Sequence, residues 1–491
     1  MDRLLAGIES QTIALSTLDM MPSIMNVPFY VYYSNDVSHP DFMPTELLHK
    51  SFYLALLDFP PFVGYFEVDG SGRGRVVVDK DNLNLPAFLE SQSSVHFGDI
   101  QAAKFSCDAL PAGAATAGLV TTSDSSGTIK PIHVHIVRLR DNSGIVLFVS
   151  IAHYLVDGVS YCEFLNRWAD ICKRLGNGET PEDMPLLHVS HSRSTLFEHL
   201  PDDRRELDDP TREMITTRDL FTKWLTWLSP KTRAKVIATS TSFSSIESHI
   251  FHLSASNLAS LRASTQEFVT TGERISDNDV ITALLQMAIA QSEAECKQEA
   301  AASRGYLSSL ASYIFPSMYK QGSEFVTQIA FDTRPRLKGL GSARFVGNAV
   351  MTRCLASPMD SLTSGINPQS LALAALSVRK LVNGIDPQYI GQHIDTLHKD
   401  PSCFMCQAAH SRSKSTMMVT NHSRFELYKA DFGRGTPVWV SPLRPFFPNI
   451  LCIMPTPPSA DGYIIYMSMT TPAMAKLLLN EFWASVTSLV Y

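Results

Sequence analysis

The sequence predicts an α/β protein made of two similar mixed-sheet halves joined by a long crossover linker. Three observations carry that expectation. Aromatic and β-branched runs bounded by turn residues recur along the chain, interleaved with stretches of helical apolar spacing. The second half restarts with strand, helix and strand after residue 245, echoing the first. Between the halves, from residue 177 to about 245, the patterning lapses. That stretch holds Pro181, Pro185, a His/Ser run over 188–194 and the charged Asp202-Asp203-Arg204-Arg205-Glu206. We expect a first domain over 1–190, a linker over 191–245 and a second domain over 246–491.

The elements follow in order. Val27-Pro28-Phe29-Tyr30-Val31-Tyr32-Tyr33 reads as a strand. Pro40 to Asp58 reads as a helix capped by Thr45, with Leu47, Leu48, Phe52, Leu54, Ala55 and Leu56 on a broad apolar face and Pro60-Pro61 as its stop. Asp69-Gly70-Ser71-Gly72 joins Tyr65–Val68 to Arg75–Val78 as a hairpin. Asp141-Asn142-Ser143-Gly144 does the same for Pro131–Arg140 and Gly144–Ala152. The second of those strands, Ile145-Val146-Leu147-Phe148-Val149, is apolar throughout and is expected to be buried on both faces. Residues 160 to 175 put Tyr161, Phe164, Leu165, Trp168, Ile171, Cys172 and Leu175 on one helical face, stopped by Gly176 and Gly178.

In the second half, Ile246–Leu253 is a strand, and Ser254–Phe268 a helix with Ser254 as its cap. Ser276-Asp277-Asn278-Asp279 caps an apolar helix over Val280–Ala290. Gln328–Asp332 and Met417–Thr420 are strands, and Asn367–Leu381 is a helix. Ile450–Pro455 and Tyr463–Thr470 form a hairpin through Ser459-Ala460-Asp461-Gly462, and Ala473–Leu489 is expected as a closing helix.

Composition narrows the function classes. A chain of 491 residues with 45% hydrophobic and 18% charged residues has ample material for sizeable cores. A net charge of -7 argues against nucleic acid or an anionic membrane as the main partner. The eight cysteines are scattered, so reduced thiols in a cytoplasmic compartment are expected. Cys403 and Cys406 form one C-x-x-C without a second ligand pair nearby, which does not make a zinc site. Residues 1 to 17 carry Glu9 and Gln11 and lack the apolar core of a signal peptide, and no apolar run is long enough to span a bilayer.

The chemistry concentrates at Ile151-Ala152-His153-Tyr154-Leu155-Val156-Asp157-Gly158. This stretch sets a histidine between an apolar strand and an amphipathic helix, with an aspartate four residues on and then a glycine suited to a tight turn. Imidazole has the pKa for general acid–base work near neutrality. No G-x-S-x-G elbow supplies a serine nucleophile. Asp157 can be read as the acid that orients His153. His133 and His135, at i and i+2 on one strand face, lack the cysteine and carboxylate complement of a metal cluster.

Separated stretches together resemble one family. They are His153-Tyr154-Leu155-Val156-Asp157-Gly158, Asp332-Thr333-Arg334-Pro335-Arg336-Leu337, Phe345-Val346-Gly347-Asn348-Ala349 and Asp431-Phe432-Gly433-Arg434-Gly435. Leu15-Ser16-Thr17-Leu18-Asp19 and Ser276-Asp277-Asn278-Asp279-Val280-Ile281-Thr282-Ala283-Leu284 fit as well. In order and spacing the chain resembles the BAHD superfamily of acyl-CoA-dependent acyltransferases over nearly its whole length. In particular it resembles the family's fungal members, such as the trichothecene O-acetyltransferases. The resemblance implies a chloramphenicol acetyltransferase-like fold with the active-site channel at the domain interface. It implies a soluble cytoplasmic monomer of secondary metabolism that moves an acyl group, acetyl first, from coenzyme A to a hydroxyl of a small acceptor. His153 would be the general base, with no covalent enzyme intermediate, no metal and no permanently bound cofactor.

The resemblance also changes the reading of individual residues. It turns Asp157 away from substrate to pair with Arg334, so that the two clamp the His153 loop together with Gly158. Asp431, Gly433 and Gly435 would support the site from a tight turn off the reacting centre. That turn departs from the family's D-F-G-W-G by Arg434, read as a solvated surface cation. Thr420-Asn421-His422 stands where many plant members have Thr-Ser-Trp. The Thr420 hydroxyl is a candidate for the oxyanion or the acceptor, equally a strand threonine satisfied by backbone. His422 replaces the tryptophan and adds a second titratable group near the site. The residues that hold coenzyme A are not legible. Two alternatives remain: an acyl donor on a carrier protein, and a catalytically silent ligand-binding homologue.

Overall fold

A computed structural model describes residues 5–20, 22, 25–70, 73–124, 127–202, 245–302, 324–399, 415–444 and 447–491. Most of the expected linker, and the Cys403/Cys406 pair, lie outside the described residues. The fold is α/β. Before the linker run strands β1 (Gln11–Ala14), β2 (Asn26–Ser34), β3 (Tyr65–Val68), β4 (Gly74–Val78), β5 (Ala87–Gln92), β6 (Ile132–Arg138) and β7 (Gly144–Ala152). After it come β8 (Ile246–Leu253), β9 (Glu324–Asp332), β10 (Val350–Pro358), β11 (Ser415–Asn421), β12 (Trp439–Pro442), β13 (Ile450–Pro455), β14 (Tyr463–Thr470) and β15 (Ser488–Leu489).

These strands make a five-stranded mixed sheet in the order β12-β2-β7-β6-β5 and a seven-stranded mixed sheet in the order β10-β9-β11-β13-β14-β8-β15. A small sheet, β1-β4-β3, sits beside the first. The first sheet is not made by the first half alone: β12, late in the chain, pairs antiparallel with β2, Val440 opposite Val31. β7 lies in the middle of its sheet, and all nine of its residues are buried. Gly144 starts it because a Cβ there would come 2.4 Å from the Tyr33 carbonyl oxygen. The Gly158–Gly176 helix packs on the Thr45–Leu56 helix, with Trp168 fully buried and its indole N–H donating to the Leu48 carbonyl at 3.0 Å.

The second sheet has two differently covered faces. Leu451, Ile453, Ile465 and Met467 share a core with the Ala255–Gln266 and Asp277–Ala302 helices. Cys452, Met454, Ile464 and Tyr466, alternating with them, join the core of the first half. The period-2 alternation of a strand makes this possible, and it presents one sheet face to the domain interface.

Three local expectations are corrected. Thr45 does not cap its helix: Pro44 stands at the N-cap and no side chain bonds there. Met43 sits at φ 49°, outside the right-handed helical region, so the helix cannot begin at Pro40. The Thr45 hydroxyl instead donates to Glu90 at 2.8 Å. The apolar helix after Ser276 is longer than expected and runs Asp277–Ala302. The closing helix is broken into Thr471–Leu478 and Glu481–Val486 and ends in β15, which pairs with β8. Asn480 causes the break: its side chain accepts the Trp483 N–H at 2.9 Å and starts a new helix.

Candidate active site

β7 ends at Ala152 and hands His153 into the cleft between the halves. The His153 N–H donates to the Met25 carbonyl at 2.9 Å, which ties the loop to the start of β2. Its imidazole is part-buried and meets the other half through Asn348, whose Oδ1 lies 3.0 Å from Nδ1. The orientation of that amide is set by its neighbours. Asn348 Nδ2 donates to the His153 carbonyl at 2.6 Å and to Asp19 Oδ1 at 3.1 Å, and a carboxylate can only accept. Oδ1 is therefore the end facing the ring, so Nδ1 carries the proton and Nε2 is left as the bare nitrogen. Burial lowers the imidazole below the ordinary histidine range, which keeps it neutral near pH 7.

Asp19 is held in turn. Arg193 pairs with it through two N–H groups at 2.9 and 3.1 Å, and Ser16 donates from its N–H and hydroxyl at 2.8 and 2.7 Å. Asp19 is fully buried and Arg193 nearly so. One connected chain thus runs from Arg193 through Asp19 and Asn348 to the ring of His153. Replacing Asn348 with alanine is expected to lower kcat by about 10²-fold, part of what a positioned general base contributes. The companion change is a shift of the acidic limb of the pH–rate profile to lower pH, since the Asn348 hydrogen bond raises the imidazole pKa.

Asp157 makes no hydrogen bond to His153. Its carboxylate is fully buried and accepts from Arg334 at 2.8 and 3.2 Å, from the Ala349 N–H at 2.9 Å and from the Ser160 N–H at 3.0 Å. The last of these makes Asp157 the N-cap of the Gly158–Gly176 helix. Burial alone would raise its pKa. The Arg334 charge and these hydrogen bonds outweigh burial and hold the carboxyl below its usual range. Arg334 also donates to Asp332 at 2.9 Å, to the Ser160 hydroxyl at 3.0 Å and to the Gly347 carbonyl at 3.1 Å. Asp157 and Arg334 therefore lock the segment bearing Asn348 against the segment bearing His153.

Gly158 differs from the expected turn glycine. It is the first helical residue, and a Cβ there would stand 2.0 Å from the Phe425 ring. Phe425 stacks on His422 at 4.5 Å between centroids and 16°. Close approach, not backbone conformation, demands the glycine. His422 and Thr420 lie two residues apart on and just past β11, with Thr420 Oγ1 2.8 Å from His422 Nε2. Burial lowers His422 to about 3, with a smaller push from a positive charge on His153 nearby.

The Asp431 turn lies elsewhere. Asp431 Oδ1 accepts the N–H groups of Gly433 at 2.8 Å and Gly435 at 3.0 Å, and both glycines have positive φ, 90° and 99°. Its other oxygen pairs with Lys173 at 2.7 Å, and Phe432 packs edge-on to Trp168 and Tyr33. Lys173 is roughly 22 Å of helix from Gly158 at 1.5 Å per residue, so this turn braces the far end of the helix that Asp157 caps. Arg434 is exposed and donates to the Gly433 carbonyl. His135 is held by Ser91 and the Ala114 carbonyl. Among the described residues no group of three or more His, Cys, Asp or Glu side chains could hold a metal, and no helix is long and apolar enough to cross a membrane.

Sequence reasoning passed over Asn348, Asp19 and Arg193. Asn348 was visible only as part of a motif. Ser16-x-x-Asp19 reads as a helix cap, which hides a carboxylate that also serves the site. A cleft of about 330 Å³, lined by Leu258, Arg262, Asp277, Ser423, Thr456 and Tyr463, opens one residue beyond His422.

Known proteins share this arrangement's scaffold. The Transferase family matches residues 6–481. Shikimate O-hydroxycinnamoyltransferase of Nicotiana tabacum is 22% identical over 469 residues, covering 94% of this chain and 92% of that one. Rosmarinate synthase of Plectranthus scutellarioides is 24% identical over 466 residues, covering 93% and 91%. The crystal structure of F. graminearum TRI101 complexed with coenzyme A and T-2 mycotoxin superposes with a TM-score of 0.72 at 15% identity, covering 98% of this chain and 100% of that one. The chain belongs to the Transferase family, the BAHD acyl-CoA-dependent acyltransferases.

Proposed function

We propose that this enzyme transfers an acyl group from a coenzyme A thioester to a hydroxyl of a small secondary metabolite, with His153 as general base. One observation carries the reading: Asn348 holds Nδ1 of His153 in a part-open cleft between the halves, so that Nε2 is the nitrogen able to take a proton. An acceptor O–H donates to Nε2 and its oxygen attacks the thioester carbonyl while Nε2 takes the proton. As the tetrahedral intermediate collapses, the C–S bond breaks and the imidazolium returns that proton to the departing thiolate. No bond forms between substrate and enzyme. Much of the rate comes from holding thioester and acceptor in register.

Asp157, Gly158 and Arg334 support the His153 loop in this reading, and Asp431, Gly433 and Gly435 brace its helix. Thr420 faces the developing oxyanion. The cleft beyond His422 is the candidate place for the coenzyme; Arg262, which lines it, is paired with Asp277 at 3.1 Å. Acetyl-CoA is the first donor to try, and the hydroxycinnamoyl thioesters used by proteins similar in sequence come next. The test is a matrix of acyl-CoA thioesters against hydroxylated metabolites, read as thiol release. At least one pair is expected to turn over with a rate that falls below an apparent pKa under 6.5, the ordinary histidine value. Absence of coenzyme-dependent turnover across the matrix, with transfer from a loaded carrier protein instead, would replace the donor.

A further inference from the structure

Thr420, His422 and Cys452 form a hydrogen-bonded chain on the interface face of the second sheet. Thr420 and Cys452 are directly opposite each other on parallel strands β11 and β13. His422 extends the ladder, its N–H donating to the Ile453 carbonyl at 2.7 Å. The three side chains are thereby set by rigid backbone. Cys452 Sγ lies 3.1 Å from His422 Nδ1, and Thr420 Oγ1 lies 2.8 Å from Nε2. Phe425 stacked on one side and Phe29 edge-on at 6.0 Å hold the ring in place.

A neutral imidazole has one N–H and one bare nitrogen, so the chain can point only one way at a time. The Cys452 thiol has two acceptors in reach, His422 Nδ1 and the Met454 thioether at 3.4 Å. The imidazole nitrogen is much the stronger acceptor, the thioether a weak one. When the thiol donates to Nδ1, the ring proton must sit on Nε2, and Nε2–H then donates to Thr420 Oγ1. That leaves the Thr420 O–H without an acceptor in the chain. His422 is its side-chain partner among the described residues, and Thr420 is part-exposed at the cleft.

We propose that Cys452 and His422 are positioning residues that turn the Thr420 hydroxyl outward as a hydrogen-bond donor to the acyl oxygen. This rests on the acyl-transfer reading above. It goes beyond it by assigning work to a cysteine and a histidine that the proton transfer does not use. In the opposite direction of the chain, the Thr420 proton is consumed by Nε2 and the hydroxyl cannot donate to a developing oxyanion. The chain therefore decides whether Thr420 contributes to catalysis.

The test compares Thr420→Val, His422→Phe, the double variant, Cys452→Ala and Cys452→Ser. Thiol release from acetyl-CoA is the signal, with water as acceptor where no alcohol is supplied. Thr420→Val is expected to lower kcat by about 10²-fold, the loss seen when one oxyanion donor is removed, with KM for the thioester little changed. His422→Phe should lose a similar factor, and the double variant no more than Thr420→Val alone. Cys452→Ala should lose about fivefold, what one ordinary hydrogen bond carries, while Cys452→Ser, which still donates, stays near the parent. Additive losses in the double variant, or equal losses for Cys452→Ala and Cys452→Ser, overturn the proposal. A second measurement is independent of activity. Nitrogen-15 histidine spectra, assigned by difference against His422→Gln, should show His422 protonated on Nε2, and protonation on Nδ1 overturns the chain direction. Full turnover in His153→Ala would instead sink the general-base reading and leave that spectrum unaffected.

Discussion

His153→Ala is expected to reduce kcat by about 10³- to 10⁴-fold at neutral pH while leaving the fold and the thioester KM near those of the parent. The size follows from what the ring does. An alcohol is a poor nucleophile at pH 7, and in the proposed mechanism Nε2, the nitrogen that Asn348 does not hold, receives its proton. A 10³-fold loss corresponds to about 4 kcal/mol of transition-state stabilisation. The fold should tolerate the change because His153 contributes little to the core: its ring is part-exposed, and its backbone bonds to Met25 and Asn348 remain in the variant. Steady-state kinetics with circular dichroism on the same preparation separates the two effects. Unchanged kcat would refute the assignment of His153.

The second large effect concerns stability. Arg334→Met should destabilise the protein by about 3–5 kcal/mol, since it strips the partner from a fully buried carboxylate. Asp157 would keep only the N–H groups of Ser160 and Ala349. The linkage has a definite sign. Arg334 contributes to holding the Asp157 carboxyl below its ordinary value of 3.8, so the stabilisation is present above that pH and lost as pH falls through the folded-state value. The variant should therefore lose the most relative to the parent near neutrality and converge with it in acid. Denaturant unfolding at pH 7 and pH 3 reads this directly. Asp157→Asn together with Arg334→Met should recover part of the loss, because no uncompensated charge is then buried. If the double variant is the sum of its singles, the two residues do not act as a pair. Activity should fall in Arg334→Met as well, since the Phe345–Ala349 segment that carries Asn348 hangs on the same guanidinium.

The α/β class and most elements were legible in the sequence for local reasons. β7 announces itself by the unbroken apolar run Ile145–Val149, which fits a strand central in its sheet. Ile246–Leu253, Ile450–Pro455 and Tyr463–Thr470 are bounded by turn chemistry and match the observed strands end to end. Ser254 caps its helix by accepting the Asn257 N–H, as the residue type suggests. Errors came where a local signal competes with a contact distant in sequence. Thr45 looks like a cap, but its hydroxyl is taken by Glu90, reached only once β5 is in place. β5, β10 and β12 passed unnoticed. β12 in particular is a four-residue edge strand whose partner, β2, lies some 400 residues earlier.

For the site, the sequence supplied reactive groups and the resemblance supplied their pairing. His153 and its position between strand and helix are local facts, and so is the Asp431 turn with its two glycines. The orientation of His153 is not local. It depends on which end of the Asn348 amide faces the ring, and that is decided by the carboxylate of Asp19, whose own position depends on Arg193. Four residues spread over 329 positions must meet before the imidazole has a defined tautomer. Periodicity and turn chemistry act over a few residues and cannot encode such a meeting. His-Tyr-Leu-Val-Asp-Gly thus supplies the candidate base in one stretch, while packing between two halves decides which of its nitrogens is left bare.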